Sequence, residues 1–149
     1  MPLTSSAINL CNAVIHMADH LGVTYDISGQ SNEAGIDLTN DVGDYKVFGT
    51  AGRGRLICGK DGSVSLSIYY TRGGNEAMDL LKRWYWLYRE QLRYFAFYAP
   101  NESISSDKYY GYFALESFNI PFSAEEAAPA LVEMNLLPNF GIEWAVQGT

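Results

Sequence analysis

Ser63-Val64-Ser65-Leu66-Ser67-Ile68-Tyr69-Tyr70-Thr71 alternates without a break. Val64, Leu66, Ile68 and Tyr70 fall on one side; Ser63, Ser65, Ser67 and Tyr69 fall on the other. Successive side chains of a strand project to opposite faces, so this stretch predicts a strand with one apolar and one polar face. A helix would scatter the serines around its circumference.

On the C-terminal side, Gly73-Gly74 breaks the strand. Asn75 is then expected to cap a helix running to about Gln91. Ala77, Leu80, Leu81, Trp84, Leu87 and Tyr88 recur at helical spacing on one face. Asp79 with Lys82 and Arg83 falls on the wet side, at spacings that allow ion pairs. Tyr85 and Trp86 lie off the apolar stripe, which suits packing against another subunit. Strands are predicted at Arg93 to Ala99 and Tyr109 to Ile120, with a polar turn from Pro100 to Asp107 between them. A connection from Pro121 to Pro129, with room for one helical turn, leads to a last pair. That pair, Ala130 to Leu137 and Ile142 to Gln147, turns at Pro138-Asn139.

On the N-terminal side, Asp41 to Gly62 holds six glycines. It reads as a long loop or an extended hairpin arm, and long loops in compact domains usually make contacts. Ile36-Asp37-Leu38 before it is a short alternating run. The beginning of the chain is ambiguous. Ser5 to Leu21 fits an amphipathic helix stopped by Gly22, and Ala13 to Met17 also fits an edge strand followed by one at Val23-Thr24-Tyr25. Strands, one helix, then strands predict a mainly β (α+β) domain, an antiparallel β-sandwich or barrel with one flanking helix at about 75–91.

Composition bounds the function. The 149 residues suffice for a single domain with its own core, and no repeat or linker divides them. Hydrophobic residues make up 48% and charged residues only 18%, with eleven tyrosines. Tyrosine is enriched at protein contacts, so self-assembly is expected. The net charge of −7 disfavours ordinary nucleic-acid binding, which rests on phosphate neutralisation. Cys11 and Cys58 are expected as reduced, mostly buried thiols. The first ten residues lack a signal-peptide pattern, and no stretch has the length of a membrane span.

The search for catalytic chemistry yields no convincing constellation, and no cofactor is expected. His16 and His20 with Asp19 could share a metal on a helix, yet no third ligand follows at a known spacing. Asp26 to Asp37 imitates a calcium loop but has Ser31 where glycine is needed and lacks the final glutamate. A turn held by Asp and Ser side chains is the simpler reading. Gly52-Arg53-Gly54-Arg55 lacks the Lys-Ser/Thr of a phosphate loop. Its arginines fit pairing with acids across an interface better.

Taken in order, several short elements resemble the major tail tube proteins of long-tailed (siphovirus-like) bacteriophages. They are Tyr25-Asp26-Ile27-Ser28-Gly29-Gln30-Ser31-Asn32 with Gly35-Ile36-Asp37-Leu38, then Phe48-Gly49 and Arg53 to Leu56. Gly59-Lys60-Asp61-Gly62-Ser63-Val64-Ser65-Leu66-Ser67 resembles the family's loop exit into a core strand. Tyr110-Gly111-Tyr112-Phe113-Ala114-Leu115-Glu116-Ser117-Phe118, Glu125-Glu126 and Gly141-Ile142-Glu143-Trp144 complete the series. The similarity spans about residues 13 to 147. The chain departs from the family at Tyr45-Lys46-Val47-Phe48, where threonines are usual, and at Ile57-Cys58-Gly59, where Pro-Gly-Leu is common.

The resemblance implies the tail-tube fold and a non-enzymatic subunit of a virion tail, assembled in the host bacterial cytoplasm. Rings, typically hexamers, would stack around a channel for genome ejection. It implies partners: further copies of the chain, and the tape measure, terminator and distal tail proteins. It turns the N-terminal ambiguity toward strands for residues 13 to 28. Residues 43–62 become an inter-ring arm, with Lys46, Phe48, Arg53, Arg55, Tyr85 and Trp86 as contact candidates. An acidic wall would keep passing double-stranded DNA from sticking, over the roughly 8–10 Å reach of charge in salt. Asp37, Glu116, Glu133 and Glu143 are the lumen-facing candidates. The absence of extra domains leans toward a sheathless, non-contractile tail. Three other readings compete: a tail terminator or distal tail ring protein, a monomeric small-ligand-binding β-domain, and an enzyme.

Overall fold

In the computed structural model Ser63 to Tyr69 forms the second half of a longer strand and its alternation is real, while Tyr70, expected on the apolar face, lies past the strand's end and is exposed. Val64, Leu66 and Ile68 are buried. The structure describes residues 10–46, 48–49, 52–100, 105–123 and 129–147. The expected helical turn in 121–129 and the acidic pair Glu125-Glu126 fall largely or wholly outside them, as does much of the 101–107 turn.

The elements are β1 (Val14–Ala18), β2 (Thr24–Asp26), a 3-10 turn (Ser28–Gln30), β3 (Ser31–Tyr45), β4 (Gly54–Tyr69), α1 (Ala77–Leu87), β5 (Arg93–Ala99), β6 (Asp107–Asn119) and β7 (Leu131–Val146). The seven strands of the described residues belong to one antiparallel sheet, in the order β2-β1-β5-β6-β7-β4-β3. The sheet curls, so that β3 at one edge and β1 near the other line the same groove. Inward residues of β1, β4, β5, β6 and β7 meet the buried stripe of α1 in one core. Each such large apolar side chain contributes about 1.5–3 kcal/mol on burial.

The helix is shorter than its sequence suggests. It starts at Ala77 after Glu76, because Asn75 adopts a left-handed φ of 59°. Asn75 secures the helix start differently: its N–H donates to Asp79, and its side-chain oxygen accepts from Arg83. The Asp79–Arg83 ion pair closes at 3.0 Å. Ala77, Leu80, Leu81 and Trp84 are buried as expected, joined by Met78. Leu87 and Tyr88 are exposed, because the helix ends at Leu87 and the chain leaves the core.

Other expectations shift. The first segment is strand, since β1 is paired on both sides, by β2 and β5. Asp19 holds the turn between β1 and β2 by accepting from the N–H groups of Leu21 and Val23. The expected terminal pair is one strand of 16 residues. Phe140 and Gly141 both have positive φ, 62° and 84°, and bulge the strand instead of reversing it. Pro138 is tolerated because it lies just past the last residue paired with β4. Both cysteines are exposed, not buried. Cys11 precedes β1, and Cys58 sits on a ribbon with no core beneath it.

Candidate assembly surfaces

Three surfaces stand out, and the first is the sheet face turned away from the helix. Directly opposed residues share a face, so register builds its rows. Glu33 opposes Ser67, Ser67 opposes Glu133, and Glu133 opposes Asn119. The next row is Gly35, Ser65, Asn135 and Ser117, tied by an Asn135–Ser117 hydrogen bond of 3.1 Å. Asp37 opposes Ser63 beyond it. These rows hold acids, small polar residues and no Lys or Arg.

The four carboxylates singled out from sequence therefore divide. Asp37 and Glu133 stand in the cation-free rows. Glu116 occupies a bulge between Leu115 and Ser117, out of register with them. Glu143 opposes Tyr110 and is ion-paired with Lys60 at 2.9 Å, which neutralises it locally. Sequence reasoning missed Glu33. The run Glu33-Ala34-Gly35-Ile36-Asp37-Leu38 carried the signal, as a longer alternation than the three residues recognised.

The second surface is an arm. The β3–β4 ladder outruns the sheet: β7 pairs with β4 only as far as Val64, while β3 and β4 stay paired out to Tyr45 and Gly54. The glycine-rich segment is thus largely the hairpin arm, not a loop. Gly54 leaves room there for the Tyr45 ring, which lies where a Cβ would stand. An aromatic ring laid over a cross-strand glycine closes such a ribbon. Leu38, Val42, Leu56 and Ile57 are nevertheless exposed along it, and Phe48 at its tip is fully exposed. Arg53 and Arg55 each lie 3.6 Å from Asp44 of the same arm, so within one copy their partner is internal. Exposed pairs of this kind contribute at most about 1 kcal/mol. Lys46 is exposed nearby.

The third surface is aromatic. Tyr85, Trp86 and Phe118 meet edge to face at 4.9–5.9 Å. Trp86 keeps 61% of its surface exposed. A further cluster went unrecognised in the sequence: Lys108 lies 5.0–5.7 Å from the rings of Tyr94, Tyr98 and Tyr110. Its hydrogen bond to Tyr94 holds the ammonium pKa above the ordinary value, so the charge is secure. The pattern Tyr94-x-x-x-Tyr98 facing Lys108-x-Tyr110 becomes visible only once β5 and β6 are in register.

The histidines do not converge as a helical pair would have brought them. His16 lies in β1, edge-on to Tyr98, and His20 stacks on Tyr88 in the following turn. Among the described residues no group of three His, Cys, Asp or Glu side chains could hold a metal. Asp26 accepts from the Ser28 N–H, and the Ser28 hydroxyl accepts from the Ile15 N–H. The segment that imitated a calcium loop is thus a side-chain-stabilised turn followed by strand.

No family model matches the chain, and no curated protein matches it. Solved structures do. A chain of the SPP1 tail tube superposes with a TM-score of 0.74 at 13% identity, covering 96% of this chain and 81% of that one. A chain from the tail of an empty gene transfer agent particle, refined with C6 symmetry, gives 0.68 at 16%, covering 94% and 100%. A chain from the sheath–tube complex of the PVC extracellular contractile injection system gives 0.69 at 14%, covering 95% and 93%. The fold is that of tail-tube subunits. It is not peculiar to long-tailed phages, since a contractile system shares it.

Proposed function

We propose that this chain is the tube subunit of a phage-like tail: it closes into rings, the rings stack, and the cation-free rows of the sheet face line the channel. One observation carries the reading: the fold of tube subunits joined to an arm that has no core of its own. An isolated two-stranded ribbon is marginal in water, and its exposed apolar residues need a partner. Head-to-tail contacts through such an arm do not close, so they extend into a filament. The role is structural, not enzymatic.

Asp37 and Glu133, with Glu33, are the wall carboxylates on this reading. Rows without lysine or arginine give DNA phosphates nothing to neutralise, and Lys108 at the β5–β6 end of the same face is engaged by three tyrosine rings, so the duplex slides without being held. Tyr85 and Trp86 form a lateral or outer contact; Lys46, Phe48, Arg53 and Arg55 belong to the inter-ring arm. Tape measure, terminator and distal tail proteins are the expected heterologous partners, and the virion tail, assembled in the bacterial cytoplasm, is the expected location. Likeness to a contractile system withdraws the inclination toward a sheathless tail.

Negative-stain electron microscopy over a concentration series tests the reading. Stacked rings or hollow tubes are the expected outcome. Single closed rings at every concentration would transfer the reading to a terminator-like protein. Monomers at high concentration, even with a tail-tip seed, would refute it.

A further inference from the structure

The groove between β1 and β3 has a volume of about 540 Å³. Leu10, Val14, Ile36 and Phe97 line it, with Cys11 on its wall and Glu33 at its rim. It is mostly apolar, and none of its lining residues is a lysine or arginine. Leu38, where the arm leaves the body, forms part of the same wall. The arm of the same copy cannot fill the groove, because β3 and β4 run paired away from it to Tyr45 and Gly54.

The arm matches what the groove lacks. Register sets Val42 opposite Ile57 and Asp44 opposite Arg55 on one of its faces. That face has an exposed apolar pair beside a cation. Between residues 42 and 57 stand Lys46, Arg53 and Arg55 against Asp44 alone, in a chain of net charge −7. The distal part of the arm is thus a cationic extension of an acidic body and is drawn to the body of another copy.

We infer that the Val42–Ile57 face of one copy's arm seats in the β1/β3 groove of the next copy along the tube. The inference rests on the tube reading and specifies its inter-ring contact. It also brings two native cysteines within a short linker's reach of one another: Cys58, beside Gly43 on the back of the seated arm, and Cys11 on the groove wall of the next copy, both exposed.

The test is thiol cross-linking of assembled wild-type protein with a short bis-maleimide, read by peptide mass spectrometry. An intermolecular Cys11–Cys58 link is expected, lost in Cys11→Ser and in Cys58→Ser. Two exposed positions supply the second arm of the test. Ile57→Glu spoils the arm but keeps the groove; Leu10→Glu spoils the groove but keeps the arm. Each alone should raise the concentration needed for stacking by about tenfold or more, the effect of losing an anchor residue. Mixed preformed rings of the two variants should pair and stop at two-ring stacks. Tubes that yield only Cys58–Cys58 or Cys11–Cys11 links, or that form unimpeded from either variant, overturn this contact and leave the tube reading standing. Wild-type protein that never assembles overturns both.

Discussion

Replacing Trp84 by Phe tests the seat of the helix on the sheet. Trp84 is fully buried, and its ring lies 5.9 Å from that of Phe95. Its indole N–H donates to the Gln91 carbonyl at 2.7 Å, tying the end of α1 to the start of β5. The Arg93 guanidinium lies 5.6 Å from the ring centre. Phenylalanine keeps one six-membered ring and loses the rest. The lost hydrogen bond is worth about 1 kcal/mol, and no more, because Gln91 is exposed and water can replace the donor. Weakening the cation–π contact removes a further ~0.5 kcal/mol. Deleting the five-membered part of the indole from a filled site costs roughly 1–2 kcal/mol in transfer and cavity.

The expected loss is therefore about 3 kcal/mol, from a total of roughly 5–15 kcal/mol for a domain. At this chain length it lowers the melting temperature by about 6–12 °C. Urea and thermal unfolding of dilute, unassembled protein would measure it. A loss below ~1 kcal/mol would show that the helix is not anchored through this side chain. A loss confined to the exchange rates of α1, with the sheet unchanged, would show that helix and sheet do not form one cooperative core.

Three further outcomes are expected. Gly54→Val displaces the Tyr45 ring and weakens the arm by about 1 kcal/mol; amide exchange in 42–57 should quicken roughly fivefold while β4–β7 amides stay protected. Glu133→Gln removes a like charge two strands from Glu33 and should stabilise the fold by a few tenths of a kcal/mol at low salt, with the gain fading at ~1 M salt. Burial opposes ionisation of Asp19, but the Val23 and Leu21 N–H groups, with His20 and Arg83 near, hold its pKa below the ordinary value. Its stabilisation is thus complete above about pH 4 and is lost as pH falls through the depressed pKa, so Asp19→Asn should flatten the acid limb of the stability curve.

The parts legible in the sequence were those where one residue's environment decides its state. Val64 to Ile68 alternate because both faces of β4 are fixed there, and the Arg93–Ala99 boundaries follow from a strand buried on the core side. Two kinds of feature were hidden. One depends on left-handed residues: Asn75 looked like a cap and Phe140-Gly141 like a reversal, yet both are local backbone excursions that sequence pattern does not separate. The other depends on register. Glu33 and Glu133 are a hundred residues apart and become neighbours across Ser67 only through two strand pairings. Likewise, Lys60 neutralises Glu143 across 83 residues, so a carboxylate that looked free in sequence is not.

The polar face and the arm make sense together as a division of charge. β3 is an edge strand of 15 residues paired on one side only, the kind of surface that invites indiscriminate pairing. Glu33, Asp37 and Asp41 recur along it, and like charges repel a second copy of the same edge when strands approach at random. The cations of residues 42–57 lie on the arm instead, beyond the body of the sheet. Two copies therefore repel edge to edge and attract arm to body. Electrostatics of this form selects orientation before apolar contact is made. On the proposed contact, an arm that must find a groove sets direction, while the rows that carry Glu33, Asp37 and Glu133 hold no cation that would draw them onto a neighbour or onto a passing polyanion.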